Sequence, residues 1–228
     1  MPPGLISARQ LLLVVATDWT SSGAYLSRYE RPDATASWVP AGLPLELSLG
    51  RAGLAWAPEF VTPGMSPGPI KREGDGCSPA GAFPVTGLFG VAGPMPGAKL
   101  PWLQATPDLK CVDDPASRHY NRIVEQSRVG CIDWNSCEDM LRTDGRYEVG
   151  AVVGCNVEPA VPGAGSCIFL HVREAPGTPT AGCSALARDD MIALAAWLDG
   201  ARSPWLVQLP HAAYADLRGP WRLPEIFA

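Results

Sequence analysis

The chain has 228 residues, with 24 glycines, 24 prolines, 46% hydrophobic residues, 18% charged residues and a net charge of −5. So many helix breakers exclude a coiled coil and leave few windows for a helical bundle, while the apolar share excludes a disordered chain. No long basic stripe marks a nucleic-acid footprint, and no run of 18 apolar residues offers a membrane span. What remains is a turn-rich, mainly β protein, and with no repeat or long linker it reads as a single domain over 1–228.

In chain order, Gln10–Thr17 and Ala24–Tyr29 read as strands around a polar turn, a hairpin pattern. Leu11–Ala16 is too short, and too poor in flanking basic residues, for a signal peptide. Leu43–Leu49 and Gly53–Ala57 continue the strand pattern, and residues 62–69 read as a loop. Residues 93–118 are loop-rich, with Asp113-Asp114-Pro115 as turn initiation. Ser136–Leu141 reads as a short helix, and Tyr147–Asn156 and Ser166–His171 as apolar strands. Ala187–Leu198 is the best helix: Met191, Leu194, Ala195 and Leu198 recur at helical spacing, Asp189 and Asp190 suit its first turn, and Gly200 can cap its end. Trp205–Leu209 reads as a closing strand and Tyr214–Arg218 as a last helical turn.

Fifteen of the eighteen basic residues are arginines, so an acidic small ligand is one reading, and a codon preference is the other. The seven cysteines include no C-x-x-C pair, and no metal site is expected. One free thiol leaves six that could form up to three disulfides in 15 connectivities. Cys155 and Cys167 sit in apolar runs and fit buried free thiols.

Chemistry concentrates between Ser166 and Leu186. An apolar strand delivers His171 at its end, a Pro/Gly-rich turn follows, and Gly182-Cys183 precedes the best helix. A nucleophilic cysteine needs a base to take its proton, and an imidazole supplies one. Backbone N–H groups at Gly182 and Cys183 are oxyanion candidates. The pair by itself is also compatible with a structural histidine and an inert cysteine.

Strand–His–turn–Thr-x-Gly-Cys resembles the signature of the YkuD-type L,D-transpeptidases, the cysteine enzymes that cross-link peptidoglycan. The upstream block Lys71-Arg72-Glu73-Gly74-Asp75-Gly76-x-Ser78-Pro79-x-Gly81-x-Phe83 resembles the same family, as do Asp113-Asp114-Pro115, Tyr120-Asn121 and Gly150–Asn156. These motifs span about residues 70–200. The resemblance implies a YkuD-like β-sandwich or barrel with one or two short helices. It implies Cys183 as nucleophile, His171 as general base and then acid, and a backbone carbonyl, nearest at Val172, orienting the histidine. Thr180 and Gly182 are implied as positioning residues, and Lys71, Asp75, Tyr120, Arg173 and Ser184 as substrate-binding candidates.

Two places depart from the family pattern. Ala181 stands where the family has a second histidine, and Ala185 where it has arginine or asparagine. With Cys183 and His171 in place the resemblance still implies the acylation chemistry, while the two alanines point to a divergent donor or a different acceptor. The implied partners are peptidoglycan stem peptides, with no cofactor, no nucleic acid and no membrane span, and a monomer is expected. The implied activity is L,D-transpeptidation through a thioacyl enzyme. The alternatives are an L,D-carboxypeptidase or amidase of the same fold, or a non-catalytic wall-binding domain. The implied place is periplasmic or extracytoplasmic, with any leader lacking from this chain; a cytoplasmic place stays open.

Other residues have plainer readings. His119 reads as a surface-loop histidine, His211 as exposed, and Gly74-Asp75-Gly76 as either a cleft edge or a tight turn. The eight tryptophans read mostly as packing, with a glycan-facing groove as the alternative.

Overall fold

The computed structural model describes residues 1–62 and 66–226. In chain order the elements are α1 (Pro3–Ser7), β1 (Gln10–Ala16), β2 (Gly23–Glu30), β3 (Val39–Pro40), β4 (Leu45–Ser48), β5 (Leu54–Trp56) and β6 (Ser78–Gly90). Then follow β7 (Trp102–Gln104), β8 (Leu109–Val112), β9 (Ile123–Glu125), β10 (Cys137–Asp139), β11 (Val149–Val153), β12 (Phe169–Val172) and β13 (Ser184–Leu186). The chain closes with α2 (Arg188–Trp197), β14 (Pro204–Pro210) and α3 (His211–Leu217).

Eight strands close on themselves. The order is β1, β14, β6, β11, β12, β13, β4 and β2, and β2 pairs back onto β1. Closure satisfies the backbone groups that an open edge would expose. β3 adds to β2, while β5 and β7 attach to β6. The run Gln10–Ala16 is nearly continuous in apolar residues, as a strand with both faces covered requires, and it is buried along almost its whole length. β1 lies between β14, parallel, and β2, antiparallel. A separate three-stranded sheet, β10-β8-β9, forms a lobe beside the barrel.

The helices close the core from outside. α2 buries Met191, Leu194 and Ala195 and packs on β11 and β12, and α3 buries Ala213, Tyr214 and Leu217 against β14 and β1. A second, smaller buried cluster joins Phe89, Tyr147, Phe169, Cys111, Cys167 and Cys183. Its three aromatic rings meet edge to face at 5.1–5.6 Å.

Several sequence expectations need correction. Residues 136–141 form no helix: Cys137–Asp139 is β10, held by antiparallel pairing to β8. Three residues are too few for helical periodicity to outweigh a strand partner. Gly200 does not cap α2, which ends in the extended Leu198; Gly200 opens a short 3-10 turn instead. β6 was hidden by Pro79, Pro84, Gly81 and Gly87, residues that disfavour strands. A register irregularity between Val152 and Val153 lies opposite Val85–Gly87, while Pro79 pairs with β5 and Gly81 and Pro84 with β14. β7 and β8 lie within the stretch expected to be loop. The loop expected over 62–69 falls partly outside the described residues. No described helix is long and apolar enough to cross a membrane.

Cys167 is not a free thiol. It forms a disulfide with Cys111, tying β8 of the lobe to the segment that enters β12. Cys77, Cys131, Cys137, Cys155 and Cys183 are free. The closed loop spans 56 residues, a separation at which a disulfide contributes about 2–5 kcal/mol. We expect Cys111→Ser with Cys167→Ser to lower the unfolding free energy by about that amount in urea titration.

Candidate active site

The parallel pairing of β12 with β13 sets Leu170 opposite Ser184 and His171 opposite Ala185. Side chains alternate along a strand, so His171 and Ala185 share a face, and Cys183, two residues before Ala185, joins them. All three line one cleft of about 90 Å³, together with Glu138, Arg142, Arg146, Tyr147, Arg173, Thr180 and Ala181.

Cys183 is 9% exposed. Its Sγ accepts the Phe169 N–H at 3.3 Å and donates to the Cys167 carbonyl at 3.3 Å. Cys167 holds a left-handed φ of 52°, an unfavourable conformation for a residue with a side chain. It is kept there by the disulfide and by its N–H, which donates to Asn121 Oδ1 at 2.9 Å. Asn121 also donates to the Cys155 and Asn156 carbonyls. The Tyr120-Asn121 motif therefore braces the backbone that receives the Cys183 thiol.

The peptide of Cys183 is fixed from two sides. Its carbonyl accepts Ser78 Oγ at 2.8 Å and Thr180 Oγ1 at 2.5 Å. Thus the serine of the upstream block and the threonine of Thr-x-Gly-Cys meet at one atom. Thr180 Oγ1 also accepts the Gly182 N–H at 3.1 Å. That N–H is occupied, which corrects the expectation that Gly182 offers an oxyanion donor. No described hydrogen bond uses the Cys183 N–H. Gly182 itself has φ 159° and lies so close to the 77–78 segment that a Cβ would stand 3.3 Å from the Cys77 carbonyl oxygen. Thr180→Val removes one donor and releases the Gly182 N–H. We expect acylation by a carbapenem to slow roughly tenfold, the rate equivalent of one lost hydrogen bond, with little change in Tm.

His171 Nδ1 lies 2.8 Å from the Val172 carbonyl, so Nδ1 carries the proton and Nε2 is left as the base. The Tyr147 ring packs edge-on against the imidazole at 5.5 Å. Burial lowers the His171 pKa to about 4, only partly opposed by the Val172 carbonyl, and Arg146 and Arg142 lower it further. Burial pushes the Cys183 thiol well above its usual range. Both groups rest neutral at pH 7, as a thiol and an imidazole.

The remaining site expectations divide. Arg173 lines the cleft and pairs with Glu46 at 2.9 Å. Ser184 does not face substrate: it is buried and donates to Gln208 at 2.8 Å, because strand alternation turns it away from Cys183. Lys71 is 4% exposed and bound to Asp75 at 2.5 Å and to the Arg72 carbonyl. This ion pair shapes the turn behind Gly182 and lies outside the cleft lining. Tyr120 is buried and donates to Glu73, which also accepts Ser166 Oγ, so it ties the lobe to the upstream block and does not line the cleft. Asp114 accepts the N–H groups of Ala116 and Asn135, the turn role expected of Asp-Asp-Pro. His119 packs against Trp134, and His211 is exposed at the start of α3. No tryptophan lines the cleft.

Sequence reasoning missed Glu138, Arg142, Arg146 and Tyr147, all of which line the cleft. Glu138 was assigned to a helix that does not exist, and no motif covers the others. The one usable signal was Tyr147, a large polar-tipped aromatic at the mouth of an apolar strand.

The closed β-barrel places Cys183 and His171 in the lining of one cleft. The family model of YkuD, the L,D-transpeptidase catalytic domain, matches residues 27–207, and the chain belongs to that family. No curated protein and no solved structure matches the chain.

Proposed function

We propose that the chain is a peptidoglycan L,D-transpeptidase that cross-links stem peptides through a thioacyl enzyme on Cys183. The reading rests on one observation above others: Cys183 and His171 line the same cleft while no described hydrogen bond uses the Cys183 N–H. Cys183 Sγ attacks a stem-peptide carbonyl as its proton passes to His171 Nε2. The oxyanion forms beside the Cys183 N–H, which Ser78 and Thr180 hold in place through the carbonyl of the same residue. His171 then protonates the leaving amine. An amine from a second stem attacks the thioester, and the released thiolate recovers its proton from His171. The Val172 carbonyl keeps the imidazole in the required tautomer throughout.

The disulfide supports an extracytoplasmic place, because such bonds persist where thiols are not kept reduced. Digested sacculi or defined muropeptides test the function. Cross-linked dimers support transpeptidation. Shortened stems alone mean that water resolves the thioester, as in an L,D-carboxypeptidase. Binding without turnover means a wall-binding domain.

A further inference from the structure

Glu138 stands in the cleft with Cys183 and His171, yet the acylation half of the reaction gives it no role. Its position is fixed by covalent and hydrogen-bonded links to the nucleophile. It lies opposite Cys111 in the β10–β8 register. Cys111 is bonded to Cys167, whose carbonyl receives the Cys183 thiol. One Glu138 oxygen accepts the Tyr147 hydroxyl, and no described hydrogen bond uses the other.

The chemistry leaves a matching vacancy. The acceptor amine of a transpeptidase is an ammonium in neutral water. It must lose one proton before it can attack and a second as the amide forms. His171 has a single free nitrogen and accounts for the second. We propose that Glu138 binds the acceptor ammonium and takes the first proton, which makes it the residue that selects an amine over water as the acceptor. This rests on the transpeptidase reading above.

The proton balance closes. The Glu138 carboxylate takes one proton from the ammonium and becomes a carboxylic acid, leaving a neutral amine. The amine nitrogen forms a bond to the thioester carbon while its next proton passes to His171. The carbon–sulfur bond breaks, and the Cys183 thiolate takes that proton back from His171. Glu138 returns its proton to water, where the donor amine released earlier takes it up.

The surroundings suit this task. Burial raises the Glu138 pKa, and Asp113 and Glu73 raise it further, while Tyr147 and Arg142 oppose them. Cys183 and His171 in the same cleft rest neutral, and Arg146, Arg173 and Glu174 are the other charged groups that line it. A carboxylate with a raised pKa is a stronger base than an ordinary one. Asp113 adds a buried carboxylate oxygen that has no hydrogen-bond partner.

The test is Glu138→Gln, which keeps a carbonyl oxygen for the Tyr147 hydroxyl. The wild type and variant are acylated with a donor stem peptide, and the ratio of cross-linked to hydrolysed product is measured against acceptor concentration and pH. The expected result is a fall of at least tenfold in that ratio, with the acid limb of wild-type aminolysis missing in the variant. Loss of fold or of acylation lowers both products together, so the ratio is read only on acyl-enzyme, whose amount is measured by intact mass in wild type and variant. An unaltered ratio in a variant that acylates overturns the proposal. A wild type that acylates but never cross-links overturns the transpeptidase reading itself, a separate outcome.

Discussion

Cys183→Ala eliminates the covalent adduct with a stem peptide or a carbapenem, and with it at least about 10⁴-fold of turnover. The size follows from the loss of the only thiol in the cleft: among the cleft-lining residues there is no other nucleophilic sulfur. The structural cost is small by comparison. Alanine forgoes two weak sulfur hydrogen bonds, to the Phe169 N–H and the Cys167 carbonyl, worth about 1 kcal/mol each or less. The variant should therefore fold, with near-native circular dichroism and a modest fall in Tm. Intact-mass measurement of wild type and variant after the same incubation checks this. An equal adduct in both would place the nucleophile elsewhere, among Cys77, Cys131, Cys137 and Cys155.

His171→Gln has the second largest effect, a loss of about 10²–10⁴-fold in acylation, the usual contribution of a positioned base. Its pH dependence is more diagnostic than its size. In the folded protein His171 protonates only near pH 4, against an ordinary value near 6.5. The base is thus available across the neutral range, and the thiol, raised by burial, stays protonated there. Wild-type acylation should be flat from about pH 6 to 8, falling only as the imidazole protonates. A thiolate–imidazolium pair would instead give a thiol titrating below its usual range and rapid alkylation by iodoacetamide at pH 6. The same shift acts on stability. Between pH 6.5 and about 4 the unfolded chain binds the imidazole proton and the folded chain does not. Stability is therefore complete above the ordinary value and is lost as pH falls toward 4, by about 3 kcal/mol for this group. His171→Gln should remove that part of the acid slope in urea titrations.

That Cys183 and His171, the proposed nucleophile and base, belong together was legible in the sequence because both sit at strand ends that local pattern identifies, and the structure puts both in one cleft. An apolar strand carries His171, and a Gly-Cys pair precedes a helix whose periodicity is clear. Most barrel strands were legible for the same reason. The β1–β2 hairpin was legible too, but the β1–β14 pairing was not, since it joins residues 10–16 to residues 204–210. β6 was illegible because its prolines and glycines contradict strand propensity, and its pairings with β5, β11 and β14 come from distant parts of the chain. The lobe was illegible because strands of three or four residues carry no period. With the lobe went Glu138, and with the pairing went the Cys111–Cys167 bond, which no cysteine spacing specifies. The roles of Ser184 and Tyr120 turned on which way a side chain faces, and β13 alternation and the Glu73 contact decided both.

The central claim is that Cys183 carries the acyl group. The direct measurement is to incubate the protein with defined muropeptides and to map the modified cysteine by proteolysis and mass spectrometry, with products analysed in parallel. The account predicts a stem-peptide thioester on Cys183 together with cross-linked dimers. An unmodified Cys183, with the acyl group on another cysteine or absent while stems are still processed, would contradict it.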